Sequence, residues 1–137
     1  MSNSYLIIGG SSDIAIQTIH KLLVDGNHVT ILARDMSRVS QLAEQGVTVI
    51  EGDALDQDAL NSAIQAATDS GAGKISGVAH LVGSIVIRPP HALKVDAFEE
   101  VIRTNLTSAF LTLSLTGKAM IKSCLLYTSP SPRDDIS

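Results

Sequence analysis

The chain has 137 residues, enough for one domain with a hydrophobic core. Its 10 Lys and Arg residues against 14 Asp and Glu residues give a net charge of -4, which argues against a protein that binds nucleic acid or an anionic membrane. No apolar run approaches the roughly 18 residues of a membrane span, and the single cysteine leaves no internal disulfide. We therefore expect a soluble, cytoplasmic protein.

Four apolar runs alternate with four helical patterns along the chain. The runs are short, β-branched and nearly continuous in apolar character, which is typical of parallel strands buried on both faces. In chain order, strands are predicted at 5–8, 29–32, 47–50 and 78–82, and helices at 13–25, 35–45, 57–70 and 96–122. This alternation predicts βαβ units with right-handed crossovers, and so an α/β fold with a doubly wound parallel sheet.

A glycine-rich turn follows the first predicted strand and leads directly into the first helix. Its sequence is Gly9-Gly10-Ser11-Ser12. Glycines allow a phosphate to approach the backbone closely, and a helix N-terminus supplies free N–H groups and partial positive charge. An ordinary turn with a serine cap is the alternative, but the position between a strand and a helix of a βαβ unit favours a phosphate site.

The continuation of this turn carries a family resemblance. Gly9, three further residues and Asp13-Ile14-Ala15 resemble the Gly-x-x-x-Gly-Ile-Gly turn of the short-chain dehydrogenases/reductases, with Asp13 and Ala15 in place of the second and third glycines. The resemblance covers residues 5–122 and implies a Rossmann-like sheet, truncated after its fourth βα unit. It also implies cofactor contacts in this turn from Gly9, Gly10, Ser11, Ser12 and Ile14. The Asp13 carboxylate would repel a pyrophosphate unless it points to solvent from the first helical turn.

The residues after the second strand bear on the choice of cofactor. Family members that prefer NAD usually carry an acidic residue at this strand end, where Ala33 stands here, followed by Arg34. Arginine suits a 2′-phosphate through its charge and bidentate geometry. The resemblance therefore implies NADP, with Arg34 as the main determinant and Arg38 as a second candidate. NAD is the alternative, because Asp35 lies about 20 residues beyond the glycine turn and could bind a ribose.

The ends of the third and fourth strands complete the implied cofactor site. Asp53 and Ala54 match the adenine contact of the family, although Asp53 or Asp56 could instead cap the next helix. Gly83 matches the last residue of the family's Asn-Asn-Ala-Gly and would lie near the nicotinamide ribose.

The three residues before Gly83 depart from that pattern. One of them, His80, is either a catalytic candidate or, more commonly for a single histidine beside a strand, a core residue with satisfied hydrogen bonds. The other histidines have no metal-ligand spacing, so we propose no metal site.

The last predicted helix carries an asparagine on its apolar stripe. The period of 3.6 residues puts Asn105 on the same face as these residues, which we expect to be packed: Phe98, Val101, Ile102, Leu106, Ala109, Phe110 and Leu113. Asn105 could be a polar residue at the edge of the stripe that faces water. Alternatively, Thr104-Asn105-Leu106 resembles the segment that carries the catalytic asparagine of the family, which implies that role for Asn105. In the family that residue locally opens the helix and holds a water of the proton relay.

The residues from Cys124 to Asp134 differ abruptly in composition from the rest. They match an in-frame translation of DNA that resembles the transposase-end adapter of sequencing libraries. The alternative is a Ser/Pro-rich linker to another domain. We predict a partial cofactor-binding domain over residues 1–123 and a non-native tail over 124–137.

The resemblance implies further catalytic residues, which members of the family carry later in the sequence. These are a serine after the strand that would follow the last predicted helix, and Tyr-x-x-x-Lys on the helix after that strand. We expect the native part of the chain to stop near Ser123, before these residues, and Tyr127 has no lysine four residues later. The chain is thus interpreted as the cofactor-binding part of an NAD(P)-dependent oxidoreductase of a small carbonyl or alcohol substrate, homo-oligomeric when intact and inactive as this fragment. The alternative is a non-catalytic Rossmann module that senses a nucleotide and binds partners.

Overall fold

The computed structural model describes residues 3–125. Four segments are strands of one sheet: β1 (Ser4–Ile8), β2 (His28–Ala33), β3 (Thr48–Glu51) and β4 (Gly77–His80). All neighbours pair in parallel, in the spatial order β3-β2-β1-β4. The four predicted strands are confirmed, except that β4 ends before Leu81 and Val82. Its pairing with β1 stops where Ile8 lies opposite His80.

The helices connect these strands as the alternating pattern predicts. They are α1 (Asp13–Val24), α2 (Ser40–Glu44), α3 (Gln57–Ser70), α4 (Val95–Ile102) and α5 (Ser108–Leu125), with a π-helical turn (Arg103–Thr107) between α4 and α5. The predicted helix over 35–45 forms only at its end. Asp35 accepts hydrogen bonds from the backbone N–H and the hydroxyl of Ser37, and this local turn competes with the helix.

Helices cover both faces of the sheet, because alternate residues of a strand point to opposite sides. The core on one side combines strand residues with residues of α1 and α2: Ile7, Val29, Ile31, Ala15, Ile19 and Leu42. The core on the other side combines strand residues with residues of α3, and α5 packs against it: Leu6, Ile8, Leu32, Leu60, Ala63, Ile64 and Ala67. The α/β, doubly wound, Rossmann-like prediction is thereby confirmed.

The face that α5 buries differs from the predicted stripe. Phe98, Leu106 and Phe110 are more than half exposed, whereas the hydroxyl residues Ser108, Thr112 and Thr116 are buried. Two of these hydroxyls donate to carbonyls one turn back in the helix, Ser108 to Thr104 and Thr116 to Thr112, which removes most of the cost of burying them. The prediction that the whole apolar stripe is packed was therefore wrong.

The end of the described chain falls inside the predicted non-native tail. Residues 124 and 125 continue α5, and the rest of that tail lies outside the described residues.

Candidate functional site

A groove of about 930 Å³ lies along the edge of the sheet where the strands end. In parallel α/β sheets this edge is where ligands bind, because loops from every strand meet there. Seven residues that the sequence assigned to a cofactor line the groove: Gly9, Ser11, Ser12, Arg34, Asp53, Ala54 and Gly83. The structure thus brings together segments that are as much as 74 residues apart in sequence, from residue 9 to residue 83.

The turn after β1 approaches the end of β4 very closely. Gly9 has φ +91, and a Cβ placed on it would lie 2.8 Å from the carbonyl oxygen of Leu81. Only glycine allows this conformation and this approach. The backbone N–H groups of Gly9 and Gly10 both donate to the Leu32 carbonyl, at 2.8 and 3.2 Å, so the turn is held against β2 as well.

The serines of the same turn lie where α1 begins. Ser12 is the N-cap, and its hydroxyl accepts from the backbone N–H of Ala15 at 3.1 Å. The hydroxyl hydrogen of Ser12 remains available to a ligand in the groove. The first amides of α1 have no acceptor inside the helix, and this is the chemistry by which helix N-termini bind anions.

Three of the predicted site residues do not line the groove. Gly10 is buried next to β2, where an added Cβ would lie 2.9 Å from the Ile31 side chain. Ile14 is 71% exposed on α1. Asn105 is not among the lining residues, although its neighbour Thr104 is.

Two ion pairs stand at the rim of the groove. Arg38 donates to Asp13 at 2.6 Å, and Arg34 lies 3.7 Å from the second carboxylate oxygen of Asp53. Asp13 lies in the first turn of α1 and is largely exposed, which is the solvent-facing one of the two positions considered for it. Its pairing with Arg38 was missed, because the sequence alone does not give the distance between the start of α1 and the segment after β2.

The acidic residues after β3 divide between capping and the groove. Asp56 is the N-cap of α3 and accepts from the backbone N–H groups of Asp58 and Ala59. Asp53 accepts from the N–H of Leu55 at 2.9 Å through one oxygen and turns the other toward Arg34. Asp56, and not Asp53, therefore caps α3.

Asp35, two residues beyond the end of β2, also lines the groove. Hydrogen bonds from the side chain and the backbone of Ser37 hold the pKa of this carboxyl below its usual value. Asp35 is thus ionised at neutral pH and stands beside Arg34 and Arg38 on the same wall.

Asn105 occupies the centre of the π-helical turn. Its amide nitrogen donates to the carbonyls of Ser84 at 2.9 Å and Val101 at 2.8 Å, and its oxygen accepts from the N–H of Ser84 at 3.0 Å. These bonds fix the segment that follows β4. Gly83 fits under this side chain because a Cβ there would lie 3.0 Å from the Asn105 oxygen.

His80 connects the end of β4 to the buried hydroxyls of α5. Its Nδ1 lies 2.9 Å from the Thr112 hydroxyl and its Nε2 lies 3.1 Å from the Ser108 hydroxyl. The Ser108 hydroxyl already donates to the Thr104 carbonyl, so Nε2 carries the ring proton and Nδ1 accepts from Thr112. Burial lowers the pKa of His80 below its ordinary value of 6.5 and keeps the ring neutral.

A signal for this arrangement was present in the sequence. Ser108, Thr112 and Thr116 recur every four residues, which puts three hydroxyls on one face of a helix. The apolar stripe beside them was the stronger pattern and led to the wrong face.

Comparison with known proteins identifies the family. Among curated proteins, no sequence matches this chain. A sequence model of the short chain dehydrogenase family, however, matches residues 3–124. The chain belongs to the short-chain dehydrogenase family.

Solved structures of short-chain dehydrogenases share this fold. A Serratia marcescens short-chain dehydrogenase/reductase is similar with a TM-score of 0.77 at 20% identity, covering 86% of this chain and 51% of that one. A Mycobacterium ulcerans short-chain type dehydrogenase/reductase gives 0.76 at 24% identity, covering 89% and 49%. The Thermoplasma acidophilum aldohexose dehydrogenase gives 0.71 at 18% identity, covering 88% and 46%. The chain spans about half the length of these three proteins.

The groove residues fit the nicotinamide dinucleotide that short-chain dehydrogenases use. The volume is in the range of small-molecule sites, and the lining combines a glycine turn, a helix N-terminus, two arginines and apolar residues such as Leu32 and Val82. In the part of the chain that the structure describes, no three His, Cys, Asp or Glu side chains form a metal site. Among these residues, no helix is both long and apolar enough to cross a membrane.

Proposed function

We propose that this chain is the cofactor-binding part of an NADP-dependent oxidoreductase that transfers hydride between the nicotinamide and a small carbonyl or alcohol substrate. The observation that carries the choice of NADP is the end of β2, where Ala33 leaves no carboxylate at the strand end and Arg34 lines the groove. A guanidinium binds a phosphate through charge and paired N–H groups. NAD is the alternative cofactor.

Each part of the dinucleotide has residues suited to it. The Gly9 turn and the start of α1 suit the pyrophosphate, Asp53 and Ala54 the adenine, and Gly83 the nicotinamide ribose. When bound, the nicotinamide supplies or accepts the hydride. The chain's own residues would bind it and orient it.

Asn105 is the catalytic residue that this proposal includes. Its position in a π-helical turn supports the role, because such a turn opens the helix and π-turns are frequent at functional sites. Both of its donor hydrogens are used, on Ser84 and Val101, so it would act on a water through its oxygen.

The chain alone should not turn over substrate, and the intact protein should be a cytoplasmic homo-oligomer. The sequence contains no Tyr-x-x-x-Lys, the pair that would move the proton and hold the ribose. Exposed apolar side chains on α4, α5 and the π-helical turn between them support self-association: Phe98, Ile102, Leu106, Phe110 and Leu113.

A non-catalytic nucleotide-sensing module is the second candidate. The observation that favours it is the pair of departures at the site, Asp13 in the phosphate turn and His80 as a bonded core residue. The uninterrupted coding sequence distinguishes the two, since a downstream Ser and Tyr-x-x-x-Lys supports the enzyme and a complete sequence without them supports the sensor.

The experiment for NADP is a titration of NADPH and NADH into the wild-type chain, Arg34→Ala and Arg88→Ala. Arg34→Ala should weaken NADPH about ten- to a hundredfold, because a charge-assisted hydrogen bond contributes about 1.5–3 kcal/mol, and should change NADH little. Arg88 is exposed outside the groove lining and controls for the loss of one positive charge. Equal losses for both nucleotides would remove Arg34 from this role.

A further inference from the structure

The contact between Asp13 and Arg38 joins two segments that both border the groove. Asp13 belongs to the first turn of α1, beside the serines of the glycine turn, and Arg38 belongs to the segment between β2 and α2. Their side chains meet at 2.6 Å, which is short even for an ionic hydrogen bond. The Asp13 side chain is 84% exposed and that of Arg38 is 49% exposed, so incoming ligands can reach both.

This contact decides how much positive charge the groove offers. Two arginines line the groove, Arg34 and Arg38. Arg34 lies 3.7 Å from Asp53, a looser pair that leaves its N–H groups available, whereas Arg38 is engaged at hydrogen-bond distance by Asp13. A phosphate monoester that binds Arg38 must displace the Asp13 carboxylate or stand beside it. A ligand with a hydroxyl at the same point has no such requirement.

We propose that Asp13 is a specificity-determining residue of this groove. It holds Arg38 and thereby leaves Arg34 as the single guanidinium of the groove that is available to a 2′-phosphate. The groove therefore prefers 2′-phosphorylated over 2′-hydroxyl dinucleotides by a smaller factor than it would without Asp13. This inference rests on the proposed function, because it concerns how the same groove chooses between NADP and NAD. It predicts that removal of the Asp13 charge widens the preference for NADP.

The expected size of the effect is modest because the pair is exposed. Exposed ion pairs are weak, because solvent and salt screen the two charges and holding both side chains in one geometry costs entropy. We expect Asp13→Asn to raise the ratio of NADP affinity to NAD affinity about two- to fivefold. The gain should shrink as salt is raised, since the Debye length falls from about 10 Å at 0.1 M to about 3 Å at 1 M.

The test is calorimetric titration of NADP and NAD into the full chain, with a double-mutant cycle. The variants are Asp13→Asn, Arg38→Gln and the two together, and the control is Asp25→Asn, which removes the same charge from the other end of α1. If Asp13 acts through Arg38, Asp13→Asn raises the ratio of NADP affinity to NAD affinity in the wild-type background and leaves it unchanged in the Arg38→Gln background. Asp25→Asn should leave the ratio unchanged.

Three results would overturn the inference, and they differ from one another. An unchanged ratio in Asp13→Asn, with NADP still bound by the wild-type chain, overturns the inference and leaves the proposed function in place. An equal gain with and without Arg38 shows that Asp13 repels phosphate generally and does not act through Arg38. Failure of the wild-type chain to bind either nucleotide overturns the proposed function, and the inference with it.

Discussion

At the scale of single residues, most buried polar groups have partners, and one exception is informative. Thr30 in β2 is fully buried, and its hydroxyl is the single buried side-chain oxygen or nitrogen without a hydrogen bond among the described residues. Other buried hydroxyls, such as those of Ser4 and Thr112, are bonded to the Ala67 carbonyl and to His80. An unsatisfied hydroxyl in an apolar core destabilises the fold.

Replacing Thr30 by valine exchanges this hydroxyl for a methyl group of similar size. Thr30→Val should raise the free energy of unfolding by about 1 kcal/mol, because it removes a buried hydroxyl without a partner. Thr112→Val is the matched control, since the same change there deprives His80 Nδ1 of its donor and should lower that free energy by about 1–3 kcal/mol. Urea unfolding curves measure both, and a loss of stability in Thr30→Val would contradict this account.

At the scale of elements, the sequence predicted the parts that depend on local pattern. The strands were readable because their apolar runs are short and β-branched, and α1 was readable from its stripe and its Ser12 cap. The face of α5 was not readable, because it depends on a contact with His80 of β4, 28 residues before Ser108. The same limit applies to the bond between Asn105 and Ser84, which needs the register of two elements.

The junction between β4 and α5 leads to a prediction about pH. The lowered pKa of His80 means that, as pH falls, the unfolded chain binds a proton near pH 6.5 before the folded chain does. The stability that neutral His80 provides is therefore fully present above pH 6.5 and is lost as pH falls from 6.5 toward the folded-state pKa.

The measurement is the free energy of unfolding from about pH 7.5 to about pH 5.5. His80→Gln should remove this part of the acid slope, whereas His20→Gln, a change on the exposed side of α1, should keep it. If the wild-type chain and His80→Gln lose stability in parallel over this range, His80 is not the group responsible.

At the scale of the whole molecule, the order of the strands creates the groove. Because β1 lies between β2 and β4, the crossovers diverge to opposite faces, and the glycine turn, Arg34 and Gly83 meet at one edge. The family turn predicted this meeting, and the structure supplies what the sequence lacks, namely the two ion pairs at the rim. How much positive charge the groove offers to a ligand depends on these two ion pairs, and not on the net charge of the chain.

The central claim, that this groove binds a nicotinamide dinucleotide, is tested most directly by NMR with the isotope-labelled chain and NADP. We expect the amide signals of Gly9, Ser12, Arg34 and Gly83, which line the groove, to shift on addition of the nucleotide. Those of Leu113 and Gly117, which line a separate cavity of about 400 Å³ beside α5, should not move. Shifts confined to Leu113, Gly117 and their neighbours, or no shifts at all, would contradict the account.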